Sequence, residues 1–253
     1  MTHPRLSVVV VTLNEEERLR SCLESVAWAD ELIVVDAESQ DKTVQIAREF
    51  TDRVIVRPWP GFAAQKNFGL AQAGGDWLLS LDADEEVSPD LRDAIGRVLT
   101  ADGPHDGYRA PRRNIFGGRW IRHGGLWPDW QLRLFRRGLA RFGERAVHES
   151  VTVTGSVGRL EGPLVHRSYR DASDFLARAD RYSTLAAEEW VRAGARVRAS
   201  DLVLRPLGRF LSMYLFKGGW LDGRPGFLLA ALYAYYVFIR SVKAWELKER
   251  ESH

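Results

Sequence analysis

Two aspartates separated by one residue, Asp82 and Asp84, are the side chains of this sequence best suited to chemistry. They follow an apolar run, Leu78 to Leu81, that is typical of a buried strand. Carboxylates at the C-terminal tip of such a strand lie where open α/β sheets bind their ligands. Mg²⁺ is typically held by one or two carboxylates together with substrate phosphates. The pattern therefore predicts a metal–diphosphate site, although an isolated Asp-x-Asp is more often a charged loop after a strand.

Strand-like and helix-like patterns alternate through the first hundred residues. Apolar or β-branched runs predict strands at 6–12, 31–35, 53–57 and 76–81, with helical spacing between them. This alternation implies right-handed crossovers and a parallel sheet covered on both faces. The C-terminal ends of the strands then share one edge, which collects Thr12, Leu13, Asn14, Asp36, Asp82 and Asp84. Acidic loops meeting at one edge predict a site for a cation or for a ribose and base.

The local signals predict several helix starts. Asn14 is expected to cap the first helix, which contains Cys22, and Ser88 is expected to cap a helix that ends near Thr100. Glu85 and Glu86 are expected to be solvated acids on the approach to that helix.

Other motifs and the composition exclude several classes of protein. No Gly-x-Gly-x-x-Gly follows the first strand and no Gly-x-x-x-x-Gly-Lys-Ser/Thr occurs, so a metal and basic side chains must neutralise any phosphates. The single cysteine, Cys22, excludes an intramolecular disulfide and fits a reducing compartment. Residues 1–100 carry 18 acids and 10 bases, and residues 101–253 carry 16 acids and 26 bases. Because bases exceed acids in residues 101–253, we expect this half of the chain to bind an anion. No nucleic-acid-binding module is recognisable.

The second half begins with a strand-like segment at 107–113 and continues with a mixture of glycine, tryptophan and arginine at 117–137. Aromatic rings can stack on sugars, and guanidinium groups bind phosphate. Arg133 and Arg136 are candidates for diphosphate or acceptor-phosphate contacts. Trp127 and Trp130 suit either a sugar-binding surface or the core, and the sequence leaves both roles open.

The C-terminal residues show a long helical pattern from Asp171 and then an uncharged run at 227–239. This run is shorter than the about 18 residues of a membrane-spanning segment. Basic residues and several tyrosines flank or interrupt it, which indicates an interfacial membrane anchor or helices packed on the catalytic domain. We expect peripheral attachment to a membrane.

The sequence resembles the inverting glycosyltransferases of family 2, which have the GT-A nucleotide-sugar fold. The resemblance rests on four motifs in order, at 11–16, 34–43, 65–69 and 81–84. The second motif reads Asp36-Ala37-Glu38-Ser39 where the family has Asp-Asp-Gly-Ser, which leaves Asp36 as the matching acid. The resemblance implies an α/β fold with a mixed sheet flanked by helices. It also implies a GT-A domain at 1–170, divided into a nucleotide half at 1–100 and an acceptor half at 101–170, followed by a helical extension at 171–253.

The same resemblance implies roles for individual residues on the donor side. The nucleotide base and ribose would be held by Thr12, Leu13, Asn14, Glu15 and Asp36. A hydrogen bond from a pyrimidine N–H to Asp36 would favour a uridine or thymidine donor, and a UDP-sugar is the expected one. Lys66 would lie near the diphosphate, and its alternative role is that of a solvated helix lysine. Asp82-Ala83-Asp84 would form the DXD motif, with Asp82 and Asp84 binding Mg²⁺ or Mn²⁺.

Residues 127–166 resemble a bacterial subgroup of family 2, the lipopolysaccharide-core β-glycosyltransferases. The shared features are Pro128 to Phe135, Val147-His148-Glu149, and His166 before a helix start. This implies a lipid-linked glycan acceptor at the cytoplasmic face of the inner membrane. Glu149 is then the expected catalytic base, Asp129 is its rival, and His166 is a candidate third metal ligand.

Two other functions remain possible at this point. A nucleotidyltransferase would also use carboxylates and Mg²⁺ on an α/β sheet, but it usually needs a glycine- and arginine-rich loop after the first strand. A catalytically silent membrane scaffold that binds glycans or lipids would predict a degraded metal motif, and the motif is present here.

Overall fold

The computed structural model describes residues 4–101, 103–143, 151–169, 171–194 and 198–251. The chain forms two compact units. The first unit comprises Met1–Arg112 and Trp130–His166, and the second comprises Arg113–Asp129 and Arg167–His253.

The strands and helices alternate at first and then separate into groups. The strands are β1 (Leu6–Thr12), β2 (Glu31–Asp36), β3 (Val54–Val56), β4 (Trp77–Asp82), β5 (Glu85–Val87), β6 (Gly107–Phe116), β7 (Arg119–Trp120), β8 (Asp129–Arg136), β9 (Ala140–Phe142), β10 (Val151–Val153), β11 (Val157–Arg159) and β12 (Leu164–Tyr169). The α-helices are α1 (Leu19–Glu24), α2 (Thr43–Arg48), α3 (Phe62–Gln72), α4 (Pro89–Thr100), α5 (Ala172–Arg192), α6 (Asp201–Leu211) and α7 (Arg224–Glu251). A π-helical turn (Ser212–Phe216) and a 3₁₀ turn (Gly219–Asp222) lie between α6 and α7.

The main sheet is mixed, with the strand order β3-β2-β1-β4-β8-β6-β12-β5. β1 is parallel to both β2 and β4, whereas β8 is antiparallel to β4 and β12 is antiparallel to β5. β11 pairs with the beginning of β6, and β9 and β10 form a separate two-stranded sheet. The predicted α/β sheet is therefore confirmed, and β1 to β4 form its parallel part within the first hundred residues, as predicted. A second parallel pair, β11 with β6, lies later in the chain.

β1 is buried along its whole length because hydrophobic layers cover both faces of the sheet. Val8 and Val10 belong to one core cluster, and Val9 and Val11 belong to the other. Successive side chains of a strand point to opposite faces, so a run of valines supplies both layers. On one face, α3 approaches β1 closely at Gly69, where a Cβ atom would lie within 2.5 Å of Val9 Cγ1.

The strand register places the predicted edge residues side by side. Thr12 pairs with Asp36, and Val11 pairs with Asp82. The ends of β1, β2 and β4 thus meet at one edge of the sheet, as the alternating pattern predicted.

Of the two helix caps predicted from the sequence, one is confirmed and the other is wrong. Ser88 caps α4, because its Oγ accepts a hydrogen bond from Leu91 N at 3.2 Å. The prediction that Asn14 caps α1 is wrong, since α1 begins at Leu19 and has no side-chain cap. Asn14 Oδ1 instead accepts a hydrogen bond from Gln40 N at 2.8 Å, which ties the loops after β1 and β2 together.

In the second unit, α7 packs against both α5 and α6. Phe116 and Ile121 form a small core with Leu229 of α7. In the same unit, His123 Nδ1 lies 3.0 Å from Asp222 Oδ1. Residues 113–129 therefore belong structurally with the C-terminal helices.

The helix that contains the uncharged run is longer than the run itself. α7 extends over 28 residues, and Arg224–Arg250 is long and apolar enough to cross a membrane by length and composition. The expectation that this segment is too short to span a bilayer is therefore corrected. Core helices of soluble proteins can meet the same two criteria, so length alone does not place α7 in a membrane.

Candidate active site

A cavity of about 330 Å³ opens in the first unit at the end of β4. Its lining is dominated by charged and aromatic side chains, a composition suited to a sugar and phosphate. The lining residues are Lys66, Asp82, Arg109, Arg112, Trp130, Gln131, Leu132, Arg133, Phe142 and Val151. Three predicted site residues, Lys66, Asp82 and Arg133, are thus brought together from three different elements.

Asp82 is held between two cations. Its Oδ1 lies 2.7 Å from Lys66 Nζ, and its Oδ2 lies 2.7 Å from an Nη of Arg133. Burial alone would raise the pKa of Asp82, but the charges of Lys66 and Arg133 outweigh burial and hold that pKa well below its usual range. Asp82 is therefore ionised throughout the physiological pH range.

Glu85 is the second acid of this network, and the prediction that it is a solvated acid is wrong. Rather than being solvated, its side chain is fully buried and accepts a hydrogen bond from Arg133 at 2.5 Å. Arg112 Nη1 lies 3.5 Å from the same Glu85 oxygen. A carboxylate so deeply buried requires such partners, because an unpaired charge in the interior is strongly destabilising.

Lys66 projects from α3 into the cavity. Its side chain is only 2% exposed, and its Nζ lies 5.2 Å from the centroid of the Phe142 ring. The adjacent Asn67 fixes this ring by exchanging two 2.9 Å hydrogen bonds with the backbone of Phe142. The alternative that Lys66 is a solvated helix lysine is therefore wrong.

The edge beside β1 and β2 is organised by Asp36. Asp36 is fully buried, and its carboxylate accepts hydrogen bonds from Ser39 N at 2.8 Å and Ser39 Oγ at 2.5 Å. Ser39 Oγ in turn accepts a hydrogen bond from Asn14 N at 2.8 Å. Asn14 and Glu38 both have positive φ, at 53° and 61°, so two non-glycine residues hold left-handed conformations in the facing loops. Asp36 thus shapes the loops in which the nucleotide residues were predicted.

The other residues predicted around the nucleotide differ in accessibility. Leu13 is half-buried, and the Glu15 carboxylate forms an ion pair with Arg18 at 2.7 Å. Thr12 is buried, and its Oγ1 has no hydrogen-bond partner among the described residues. A buried hydroxyl without a partner is costly, so Thr12 Oγ1 is suited to a ligand contact.

Asp84 and His166 are brought together, as the metal hypothesis required. His166 Nε2 lies 3.4 Å from Asp84 Oδ2, and Arg18 Nη1 approaches the same oxygen at 3.9 Å. The antiparallel pairing of β12 with β5 positions His166, because it aligns His166 with Glu85. Burial alone would raise the pKa of Asp84, but His166 and Arg18 outweigh burial, and the pKa is lowered.

The donor atoms of Asp82, Asp84 and His166 fit a hard divalent cation in their chemistry. Their placement fits less well, because Asp82 is paired with Lys66 and Arg133. Among the described residues, no three His, Cys, Asp or Glu side chains lie close enough to hold an ion together.

The remaining predicted residues divide between cavity and core. Trp130 lines the cavity, whereas Trp127 packs edge-on against Trp120 with 5.1 Å between ring centroids. Ala83 is buried beside Asp82. The guanidinium carbon of Arg136 lies 4.7 Å from the centroid of the Trp77 ring, and its Nε lies 3.9 Å from Asp106 Oδ1. Arg136 therefore packs against Trp77 of the first unit and is not among the residues that line the cavity.

The two candidate bases are the least defined part of the site. Glu149 lies outside the described residues, although Val151, two residues further along the chain, lines the cavity. Asp129 is the first residue of β8 and directly precedes Trp130. The choice between the two bases therefore stays a prediction.

Sequence reasoning missed Arg109, Arg112 and Phe142 as lining residues. Arg109 and Arg112 lie in a strand that was predicted, and the arginine-rich composition of that strand was the available signal. Phe142 gave no signal, because its place at the cavity depends on contacts with residues far away in the sequence, including two hydrogen bonds with Asn67.

Comparison with known proteins identifies the family. The model of the family described as "Glycosyl transferase family 2" matches residues 7–154, which include the cavity and its acidic edge. The chain belongs to glycosyl transferase family 2. This family 2 glycosyltransferase is 33% identical over 248 residues to "Lipopolysaccharide core biosynthesis glycosyltransferase LpsC" of Rhizobium meliloti (strain 1021), which covers 95% of this chain and 92% of the relative.

Solved structures confirm the GT-A fold of this family 2 glycosyltransferase. A mannosyltransferase from Pyrobaculum calidifontis, solved with GDP-Man and Mn²⁺, superposes with a TM-score of 0.57 at 16% identity and covers 97% of this chain and 88% of its own. Glucosyl-3-phosphoglycerate synthase from Mycobacterium tuberculosis, solved with phosphoglyceric acid, gives a TM-score of 0.51 at 20% identity and covers 76% of this chain and 81% of its own. The predicted membership in family 2 and the predicted fold are both confirmed.

Proposed function

We propose that this enzyme transfers a hexose, with inversion, from a UDP-sugar to a lipid-linked glycan of the lipopolysaccharide-core type. The observation that carries the proposal is the cavity in which Asp82 is paired with Lys66 and Arg133. Membership in family 2 supports sugar transfer, and the similarity to a lipopolysaccharide-core enzyme supports a glycan acceptor.

The reaction needs positive charge where the leaving group departs. In a one-step displacement, the acceptor hydroxyl oxygen bonds to the anomeric carbon as the bond from that carbon to the diphosphate oxygen breaks. The electron pair of the broken bond remains on the nucleoside diphosphate. Lys66, Arg112 and Arg133 line the cavity, and the acids Asp82 and Glu85 hold them in place. Cations fixed in advance stabilise developing negative charge without reorganisation during the reaction.

The acceptor hydroxyl must lose its proton as it attacks. Glu149 is our proposed base and Asp129 its rival. Each carboxylate is close in sequence to a residue that lines the cavity, Val151 for Glu149 and Trp130 for Asp129. Whichever acid accepts the proton, attack from the face opposite the leaving group inverts the anomeric carbon.

A divalent cation, Mg²⁺ or Mn²⁺, is part of the proposal. Asp82 and Asp84 would bind it, with His166 as a third ligand, and it would supply further charge at the diphosphate. The 3.4 Å approach of His166 to Asp84 supports this role. To bind the ion, Asp82 would have to lose part of its ion pairing with Lys66 and Arg133 and form a bond to the metal instead.

The donor nucleotide is proposed to be UDP. The resemblance to family 2 in the motif that contains Asp36 supports this choice. Thr12 supports a nucleotide contact at this edge of the sheet, because its buried hydroxyl has no hydrogen-bond partner among the described residues. Leu13, Asn14, Glu15 and Asp36 would complete the pocket for base and ribose, and Ala83 and Arg133 would complete the diphosphate wall.

The second unit carries an exposed apolar surface that supports attachment to the cytoplasmic face of the inner membrane. We name it the apolar surface, and it comprises Val203, Leu204, Leu207, Leu215, Phe216, Trp220 and Leu221, all at least half exposed. α6 buries none of its residues within the described structure. Lys217 follows Phe216 directly, and Arg224 comes four residues after Trp220. Basic residues beside apolar ones suit anionic lipid.

The test of the proposed function is to incubate the purified enzyme with UDP-glucose and Mg²⁺ or Mn²⁺ and to measure slow release of UDP. We expect UDP from the native enzyme and none from Asp82→Asn, while Asp52→Asn, at an exposed position, retains activity. Release of pyrophosphate would identify a nucleotidyltransferase, and binding without any turnover would identify a scaffold.

A further inference from the structure

Two arginines at the edge of the cavity lie directly beside each other. Arg109 of β6 and Arg159 of β11 are partners in the parallel register of these strands, so their side chains leave the same face of the sheet. Both side chains are exposed. Like charges on directly paired strand positions are destabilising. This pairing therefore suggests a third, negatively charged component.

No carboxylate among the described residues pairs with Arg109 or Arg159. This distinguishes them from Arg133 and Arg112, which lie against Glu85 at 2.5 Å and 3.5 Å. Arg109 precedes Arg112 by three strand positions, a backbone distance of about 10 Å. The guanidinium groups of Arg109 and Arg159, which have no carboxylate partner in the part of the chain that the structure describes, thus occupy a different part of the site from the cations assigned to the donor diphosphate.

Trp130 connects this arginine pair to the cavity. The guanidinium carbon of Arg159 lies 4.8 Å from the centroid of the Trp130 ring, and both Trp130 and Arg109 line the cavity. An aromatic ring can pack against a sugar, and an arginine pair can bind a carboxylate or phosphate through several hydrogen bonds. The arrangement therefore suits a sugar that carries an acidic group.

We propose that Arg109, Arg159 and Trp130 form a subsite for a carboxylate- or phosphate-bearing sugar of the acceptor. The assignment to the acceptor rests on the proposed function, because it takes the Lys66 and Arg133 side as the donor site. The subsite would make the enzyme selective for acidic glycans over neutral ones.

The experiment measures binding by calorimetry to the full-length protein, first with UDP alone and then at saturating UDP. The probes in the second stage are glucose 6-phosphate, glucuronate, glucose and inorganic phosphate. We expect the two acidic sugars to bind, and the double variant Arg109→Gln/Arg159→Gln to bind them about tenfold more weakly or worse. The double variant Arg109→Lys/Arg159→Lys should recover part of the loss.

The controls separate this proposal from the proposed function. Arg48→Gln removes an exposed positive charge on α2 and should bind the acidic sugars like the native protein. UDP affinity should be the same in the double glutamine variant. The subsite proposal is overturned if glucose or inorganic phosphate binds as tightly as glucose 6-phosphate, or if the double glutamine variant binds the acidic sugars normally. Absence of UDP binding by the native protein would instead overturn the proposed donor.

Discussion

Lys66 Nζ lies 2.7 Å from Oδ1 of Asp82, although one residue comes from a helix and the other from the end of a strand. Arg133 reaches the other Asp82 oxygen at the same distance and also contacts Glu85. This cluster of two acids and two cations lies at the acidic edge of the sheet. Each member depends on the others, because removing one charge leaves its partners buried and uncompensated.

Replacing Lys66 with methionine should remove a cation from the diphosphate side of the cavity. We expect turnover to fall by about 100-fold, the usual effect of deleting one electrostatic contact to a developing charge. The measurement is UDP release from UDP-glucose at saturating donor. Lys42→Met, at an exposed position before α2, is the matched control, and equal rates for the two variants would contradict the role of Lys66.

The lowered pKa of Asp82 predicts a pH dependence of stability. Above the pKa of an ordinary aspartate, about 3.9, the carboxylate is ionised in both the folded and unfolded chains, and its pairing contributes fully. As the pH falls below that value toward the lower pKa of the folded state, the unfolded chain binds the proton first and stability is lost. Asp82→Asn cannot titrate, so its Tm should decrease less steeply between pH 7 and acidic pH. A Tm profile parallel to that of the native protein would refute this prediction.

The choice of catalytic base can be decided by a pair of isosteric variants. Glu149→Gln should reduce kcat by about 100-fold to 10⁴-fold, the range for loss of a general base. Donor binding should change little, because an amide keeps the shape of the carboxylate. If Asp129→Asn has this effect and Glu149→Gln does not, the assignment of the base is reversed.

Replacing Asp84 with alanine should abolish metal-dependent transfer. Asp84 lies between β4 and β5, and its side chain, 11% exposed, pairs with His166 and Arg18. Because it belongs to neither strand, we expect the far-UV circular dichroism spectrum to be unchanged. The binding measurement is titration with Mn²⁺ in the presence of UDP, in which His166→Ala should show weakened affinity. Near-normal turnover by Asp84→Ala would exclude the proposed metal site.

Membrane attachment through the apolar surface is testable with lipid vesicles. The native protein should co-sediment with vesicles that contain anionic phosphatidylglycerol. Phe216→Ser/Trp220→Ser should sediment less, because it removes the 85% exposed and 54% exposed aromatic rings. Val56→Ser changes an exposed valine of the first unit and is the control. Failure of the native protein to co-sediment with anionic vesicles would refute attachment to the membrane.

Much of the acidic edge of the sheet could be predicted from the sequence. A strand buried on both faces leaves a continuous apolar signal, as in Val8 to Val11, and strands that alternate with helices must run parallel. These two rules were enough to predict that Thr12, Asp36 and Asp82 lie at one edge of the sheet. The strand register confirms that they are close together.

Local sequence rules failed where a distant segment supplied the partner. Asn14 has the chemistry of a helix cap, yet its side chain binds Gln40 N in a loop after another strand. In the sequence, Glu85 looks like a surface acid before a helix. In the structure it lies in β5, which pairs with β12, and Arg133 and Arg112 pair with its carboxylate. Neither contact has a fixed spacing along the chain.

The sequence by itself determined the family, the alternation of strands and helices in the first hundred residues, and the edge of the sheet at which the acids collect, because these follow from hydrophobic periodicity and short motifs. Only the tertiary structure decided which charges pair, that Lys66 is buried, and that Arg109 stands beside Arg159. The buried ion pairs join segments far apart in the chain, and burial makes their pairing energetically necessary by removing the water that would otherwise solvate each charge. The exposed Arg109 and Arg159 are placed together by the pairing of their strands instead.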